Sequence, residues 1–211
     1  MGAIALFGGN GCAPVGENEA VTQRLLAHAN VKEVLVVPTA DAFERPEEAV
    51  ASARTWFAGF GVEVRPLMVL TRRDAMDPSM ADLVASSSFV YLLGDSPLHL
   101  RSAMKDTPVW QAITEVASRG VVAAAGASAA AVCDPMTDPR GGAFGLGLGL
   151  VRQLAVLHEA ETWSFERLHR ARQLAKGFCV ATLPSGTALV QTDGRWARYG
   201  EGMEIAGELP G

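Results

Sequence analysis

The sequence lacks the features that nucleic-acid or membrane partners would require. Its 18 lysines and arginines are outnumbered by 23 aspartates and glutamates, a net charge of −5 over 211 residues. No basic run with interleaved aromatics offsets this balance, which disfavours a phosphate-backbone partner. No apolar stretch reaches the roughly 20 residues of a spanning helix. Met1–Phe7 leads straight into a strand-like run, without the positive segment and apolar core of a signal peptide. There are only three cysteines, Cys12, Cys133 and Cys179, widely spaced and odd in number. That excludes a disulfide framework and a zinc-ligand pattern, and suits a reducing compartment. The expectation is a cytoplasmic protein with no nucleic acid, no membrane, no metal and no cofactor. The chain length fits one domain, residues 1–211, with a sizeable core.

What is present is an alternation of short apolar runs with amphipathic ones. Ala3–Phe7, Glu33–Thr39, Val62–Leu70, Phe89–Gly94 and Gly120–Gly126 read as buried strands, and Leu154–His158 as a sixth. Pro66 marks the third as an edge or a bulge. Glu17–Ala29, Pro46–Phe60, Ser79–Ser86, Pro97–Lys105 and Pro108–Arg119 read as helices, several opened by proline. This order predicts an α/β fold, a doubly wound, mostly parallel sheet with helices on both faces. After residue 177, "FCVATLP", "TALVQTD", "RWARYG" and "MEIAGE" read as antiparallel edge strands near the C-terminus. The glycine-rich Gly141–Leu150 is a loop, not a dinucleotide fingerprint, because no strand immediately precedes it and no helix follows at once.

Ligands bind such sheets outside the carboxyl ends of the strands. Gly8-Gly9, Thr39, Gly94-Asp95 and Ser128 all follow strands and therefore face one crevice. "GASAA", Gly126–Ala130, matches most of the nucleophile-elbow pattern G-x-S-x-G. Ser128 is thus either a small filler at a crowded turn or a nucleophile held on a sharp bend. A serine needs a base. Of the four histidines, His28, His99 and His169 lie on helical segments, whereas His158 ends an apolar run at a strand's carboxyl end. Cys133 and Cys12 supply a weaker cysteine-hydrolase alternative.

These segments together resemble the dipeptidase E and cyanophycinase family of serine peptidases, which has the class I glutamine amidotransferase-like fold. "ALFGGN", "VLVVPTA", "VYLLGDSPLHL", "AAGASAAAV", "LHEAETWSFERL", "LPSGTALV" and "YGEGMEI" carry the resemblance across nearly the whole chain. It implies Ser128 as nucleophile, His158 as base, an oxyanion hole from Gly94, Asp95 and the N–H of Ala129, and Arg167 as a substrate-side cation. The implied substrates are small peptides, with an N-terminal aspartate or β-linked aspartyl-arginine units. The sequence departs from the family pattern at Leu93, Ala130 and Ser185, where glycine, glycine and an acid are usual. The residues before His158, Val156-Leu157, also differ. The acid that orients His158 is therefore open; Asp138, with Asp134 beside it, is the candidate. The competing expectation is a catalytically degenerate member of the fold acting as a small-molecule or protein binding module. An exposed strand or helix stripe leaves room for a homodimer.

Overall fold

The structure is a computed structural model that describes residues 2–138 and 140–211. Five parallel strands form most of the main sheet: β1 (Ala3–Phe7), β2 (Glu33–Val37), β3 (Glu63–Pro66), β4 (Phe89–Leu92) and β5 (Val121–Ala125). Later in the chain come β6 (Leu154–His158), β7 (Cys179–Leu183), β8 (Ala188–Thr192), β9 (Arg195–Tyr199) and β10 (Glu204–Ala206). The main sheet runs β9-β8-β1-β5-β4-β2-β3, with β8 antiparallel to β1 and β9 antiparallel to β8. Pro66 closes β3 at the free edge of this sheet, where its missing N–H breaks no ladder.

The strands are apolar on both faces because helices cover both. Leu6, Leu35, Val37, Val90, Leu92, Val122 and Ala124 enter one core cluster. The alternate residues Ala5, Phe7, Val34, Val36, Tyr91, Ala123 and Ala125 enter the other. This is the period-two alternation of a pleated strand, with no face left for water. Helices α1 (Asn18–Ala29) and α2 (Pro46–Ala58) bury Val21, Leu25, Val50 and Phe57 in the second cluster. On the opposite face lie α3 (Arg72–Ala75), α4 (Pro78–Ala85), α5 (Pro97–Met104), α6 (Pro108–Arg119) and the short α7 (Ala127–Val132). Helix α6 shows how local chemistry sets an element. The Thr107 hydroxyl accepts the N–H of Trp110 at 3.2 Å, Pro108 opens the first turn, and Val109, Ile113 and Val116 form the buried stripe.

One expectation needs correcting. Leu154–His158 is a strand but not a sixth member of the main sheet: β6 pairs in parallel with β7, and β10 adds antiparallel to β7. Of the four C-terminal segments, only "TALVQTD" and "RWARYG" extend the main sheet. The small second sheet lies against the α7 side, with Leu154, Val156 and Ala181 joining the first core cluster. Helix α8 (Phe165–Leu174) covers its other face through Ala171, packed with Ala155, Leu157 and Trp163. This second layer is what carries His158 to the edge of the main sheet. Among the described residues no helix is long and apolar enough to cross a membrane.

Candidate active site

The carboxyl ends of β1, β2, β4 and β5 open onto one edge. A cleft of about 730 Å³ lies there, walled by Asn10, Leu93, Gly94, Gly126 and Glu159, with Asp41, Glu44, Glu48 and Asp95 as an acidic side. Arg45 also lines it, but its guanidinium is bound to both carboxylate oxygens of Glu48, at 2.9 and 3.1 Å. A larger cavity of about 930 Å³ adjoins it, sharing Cys12 and Ser52 and lined by Leu26, Trp56 and Phe60. The smaller cleft is the one with reactive groups, since neither the strand-end glycines nor the residues around His158 face the larger.

The strand-to-helix corner after β5 falls on Gly126, with φ 55° and ψ −123°. Its N–H continues the β5–β1 ladder to Phe7 O at 3.1 Å, so the corner is anchored to the end of β1. Ser128 sits two residues further on, inside α7, and is 0% exposed. Its Oγ faces the carbonyl of Gly94 at 3.5 Å, the outer limit of a hydrogen bond. The bend expected at Ser128 is therefore two residues earlier, and all of Ala127–Val132 is buried.

Two of the three expected oxyanion donors are also engaged. The N–H of Asp95 donates to Asp41 Oδ1 at 2.8 Å, and that of Ala129 to Gly126 O at 3.0 Å. Gly94 has φ 114°, and an added Cβ there would stand 2.7 Å from the Asp41 N, so the turn requires glycine.

His158 ends β6 and reaches this edge by a backbone device. Glu159 adopts a left-handed conformation, φ 48° and ψ 45°, and its N–H donates to Gly8 O at 2.5 Å. The imidazole is 14% exposed. Burial lowers its proton affinity below the ordinary histidine value; Asp95 opposes this, Arg167 adds to it, and Glu161 opposes it. Burial thus favours the neutral form of the ring. No hydrogen bond joins it to Ser128. Its Nδ1 is buried without a hydrogen-bond partner, 3.7 Å from Glu159 Oε2.

Asp138, the candidate for orienting that ring, is engaged elsewhere. Its carboxylate takes the Nε and Nη2 of Arg140, both at 3.1 Å, and this pairing holds its pKa below the usual range. Asp134 accepts the N–H of Gly147 at 2.9 Å instead. A carboxylate that sequence reasoning missed is Glu161, which accepts the N–H of Ser185 at 3.1 and 3.3 Å. Its charge favours the charged form of His158. The only prior signal was its place three residues after the histidine. Arg167 lies with its guanidinium 4.0 Å from the Trp163 ring centroid, and its charge is felt at His158.

Burial disfavours the cysteine alternative. Burial pushes the Cys12 thiol up to about 12, and the Cys133 thiol higher still, so neither is a thiolate at neutral pH. His99 has a structural role, with Nε2 2.8 Å from Leu70 O and its ring edge-on to Phe43.

Two solved structures share this fold. One is a peptidase from an acI-B1 Actinobacterium, with a TM-score of 0.80 at 23% identity over 99% of this chain and 88% of that one. The other is a protein assigned as peptidase E from Listeria monocytogenes EGD-e, with a TM-score of 0.68 at 14% identity over 98% of both chains. No curated protein matches the sequence at a significant level. The family model for peptidase family S51 matches residues 4–197, nearly the whole chain. The chain therefore belongs to peptidase family S51, a family of serine peptidases and thus of hydrolases.

Proposed function

We propose that the cleft at the carboxyl edge binds short peptides and hydrolyses their amide bonds slowly, with His158 as the general base. The observation that carries this reading is a largely buried imidazole that directly precedes Glu159, a residue of the cleft wall whose N–H is bonded to Gly8 O. Such a group can take a proton from an attacking oxygen and return it to the leaving amine.

The charges suit a zwitterionic peptide. An ammonium group meets Asp41, Asp95 and Glu159, and each charge-assisted hydrogen bond it makes contributes about 1.5–3 kcal/mol. Burial raises the carboxyls of Asp41 and Glu159 above their ordinary values; the Asp95 N–H opposes this at Asp41, while the Asp95 charge adds to it at both, and a bound cation relieves this crowding. Arg167, on the His158 side, suits the carboxylate end. An N-terminal aspartate would add a negative side chain to the acidic wall, so peptides opening with neutral or basic residues fit better than aspartyl ones.

The rate is limited by the hydroxyl. Ser128 Oγ points to a backbone carbonyl inside the protein, and covalent attack requires it to leave that place. Binding and polar stabilisation without a working nucleophile retain about 10³–10⁴-fold over water. The same burial favours a second reading, in which the protein binds peptides without turning them over.

The experiment is a dipeptide panel at high protein concentration with amine release followed over days. Turnover of alanyl and lysyl dipeptides that vanishes in His158→Ala supports the hydrolase. Binding by calorimetry with identical, background hydrolysis in both proteins leaves only the binding module. Absence of both removes the peptide cleft.

A further inference from the structure

We infer that the attacking position of this cleft is Gly126, so that the chain carries a hydrogen atom where an elbow nucleophile would project. This rests on the cleft being the amide site proposed above.

In an elbow the nucleophile belongs to the corner residue itself, because only there does the side chain clear both the strand behind and the helix ahead. Here the corner conformation, φ 55° and ψ −123°, is at Gly126. Gly126 lines the cleft and Ser128 does not. An ideal Cβ on Gly126 would meet nothing nearer than Gly9 O at 3.7 Å and Gly9 C at 3.8 Å, both ordinary contacts. Ser128, in contrast, is 0% exposed. "GASAA" therefore places its turn on the first of the five residues, not the third. The engaged N–H of Ala129 follows from the same offset, since the residue after the corner is Ala127.

A hydroxyl at position 126 would stand on the strand end anchored to Phe7, next to Gly8, where the chain segment of His158 is tied. Its oxygen would attack the amide carbon while His158 takes the proton. The C–N bond would then break, the proton would pass to the departing amine, and water would hydrolyse the resulting ester. The burial that favours the neutral ring of His158 suits this role.

The test is Gly126→Ser treated with a fluorophosphonate. The oxygen–phosphorus bond forms, the phosphorus–fluorine bond breaks, fluoride leaves, and the proton goes to His158. The expected result is one adduct per chain, mapped by peptide mass spectrometry to position 126, with wild type and Gly126→Ala unlabelled. A wild-type chain labelled at Ser128 overturns the inference, as does an unlabelled Gly126→Ser that melts like Gly126→Ala. Positive φ strains any side chain at 126, so a variant that leaves the corner intact is needed as well. Ser128→Cys should react with iodoacetamide at least about 100-fold more slowly folded than in denaturant, and free reaction when folded overturns the inference. Labelling needs no peptide turnover. A labelled Gly126→Ser with no peptide hydrolysis in either protein would remove the hydrolase reading and leave this one standing.

Discussion

Glu159 donates its backbone N–H to the carbonyl of Gly8 at 2.5 Å, and this bond ties the second sheet to the end of β1. Gly126 is fixed to the same strand end through Phe7 O. His158 and the Gly126 corner thus come from elements more than 30 residues apart yet are tied to one short stretch at the end of β1, and several consequences can be measured.

The first concerns pH. Burial depresses the pKa of His158 below 6.5, and Arg167 assists. Activity that needs the neutral ring should hold through neutrality and fall only on an acid limb below that value. Arg167→Gln removes a cation and should move the limb upward; Asp95→Asn removes an anion and should move it downward. The profile of kcat/KM against pH checks both directions, and a wild-type limb at or above 6.5 contradicts the assignment.

Stability follows with a determinate sign. The folded pKa is the depressed one, so the unfolded chain binds more protons in the interval between the two values. The contribution from keeping His158 neutral is complete above 6.5 and is lost as pH falls through the folded value. Denaturant midpoints measured from pH 7.5 to 5 should decline less in His158→Gln than in wild type.

A third expectation separates two carboxylates. Glu161 favours the protonated ring, whereas Asp138 is engaged by Arg140. Glu161→Gln should lower the His158 pKa, and Asp138→Asn should leave it in place. Titration of the ring by NMR decides; a shift in Asp138→Asn would return that residue to the site.

The fourth is structural. Gly94 has φ 114°, and a Cβ there would stand 2.7 Å from the Asp41 N. A non-glycine residue in such backbone costs on the order of 1–3 kcal/mol before the clash. At about 2–4 °C per kcal/mol for a chain of this size, Gly94→Ala should lower Tm by at least ~3 °C. Gly141→Ala, where an added Cβ meets nothing within 4 Å, should not.

The main sheet was legible because its physics is local. Continuous apolar runs such as Val34–Val37 announce strands covered on both faces, Pro66 announces an edge, and Thr107-Pro108 announces a helix start. The pairing of β6 with β7 was not legible, since burial marks Leu154–His158 as a strand without naming its neighbour. The corner was misplaced by two residues because Ala125, Gly126, Ala127, Ser128 and Ala129 are all small, and small residues alone do not reveal which one turns. The Asp138–Arg140 pair is two residues apart and visible in "DPR", but its competition with His158 is decided in three dimensions. Glu161 meets Ser185 across 24 residues, a separation that no spacing rule reaches.

The central claim is that amide attack in this cleft belongs to the Gly126 corner with His158 beside it. Its most direct measurement is the hydrolysis rate of alanyl and lysyl dipeptides by wild type, Gly126→Ser, Ser128→Ala and the Gly126→Ser/His158→Ala pair. A covalent nucleophile contributes several powers of ten to such reactions, so Gly126→Ser should exceed wild type by at least about 100-fold and lose that gain without the imidazole. A wild type already at full rate, and inactivated by Ser128→Ala, would contradict the account.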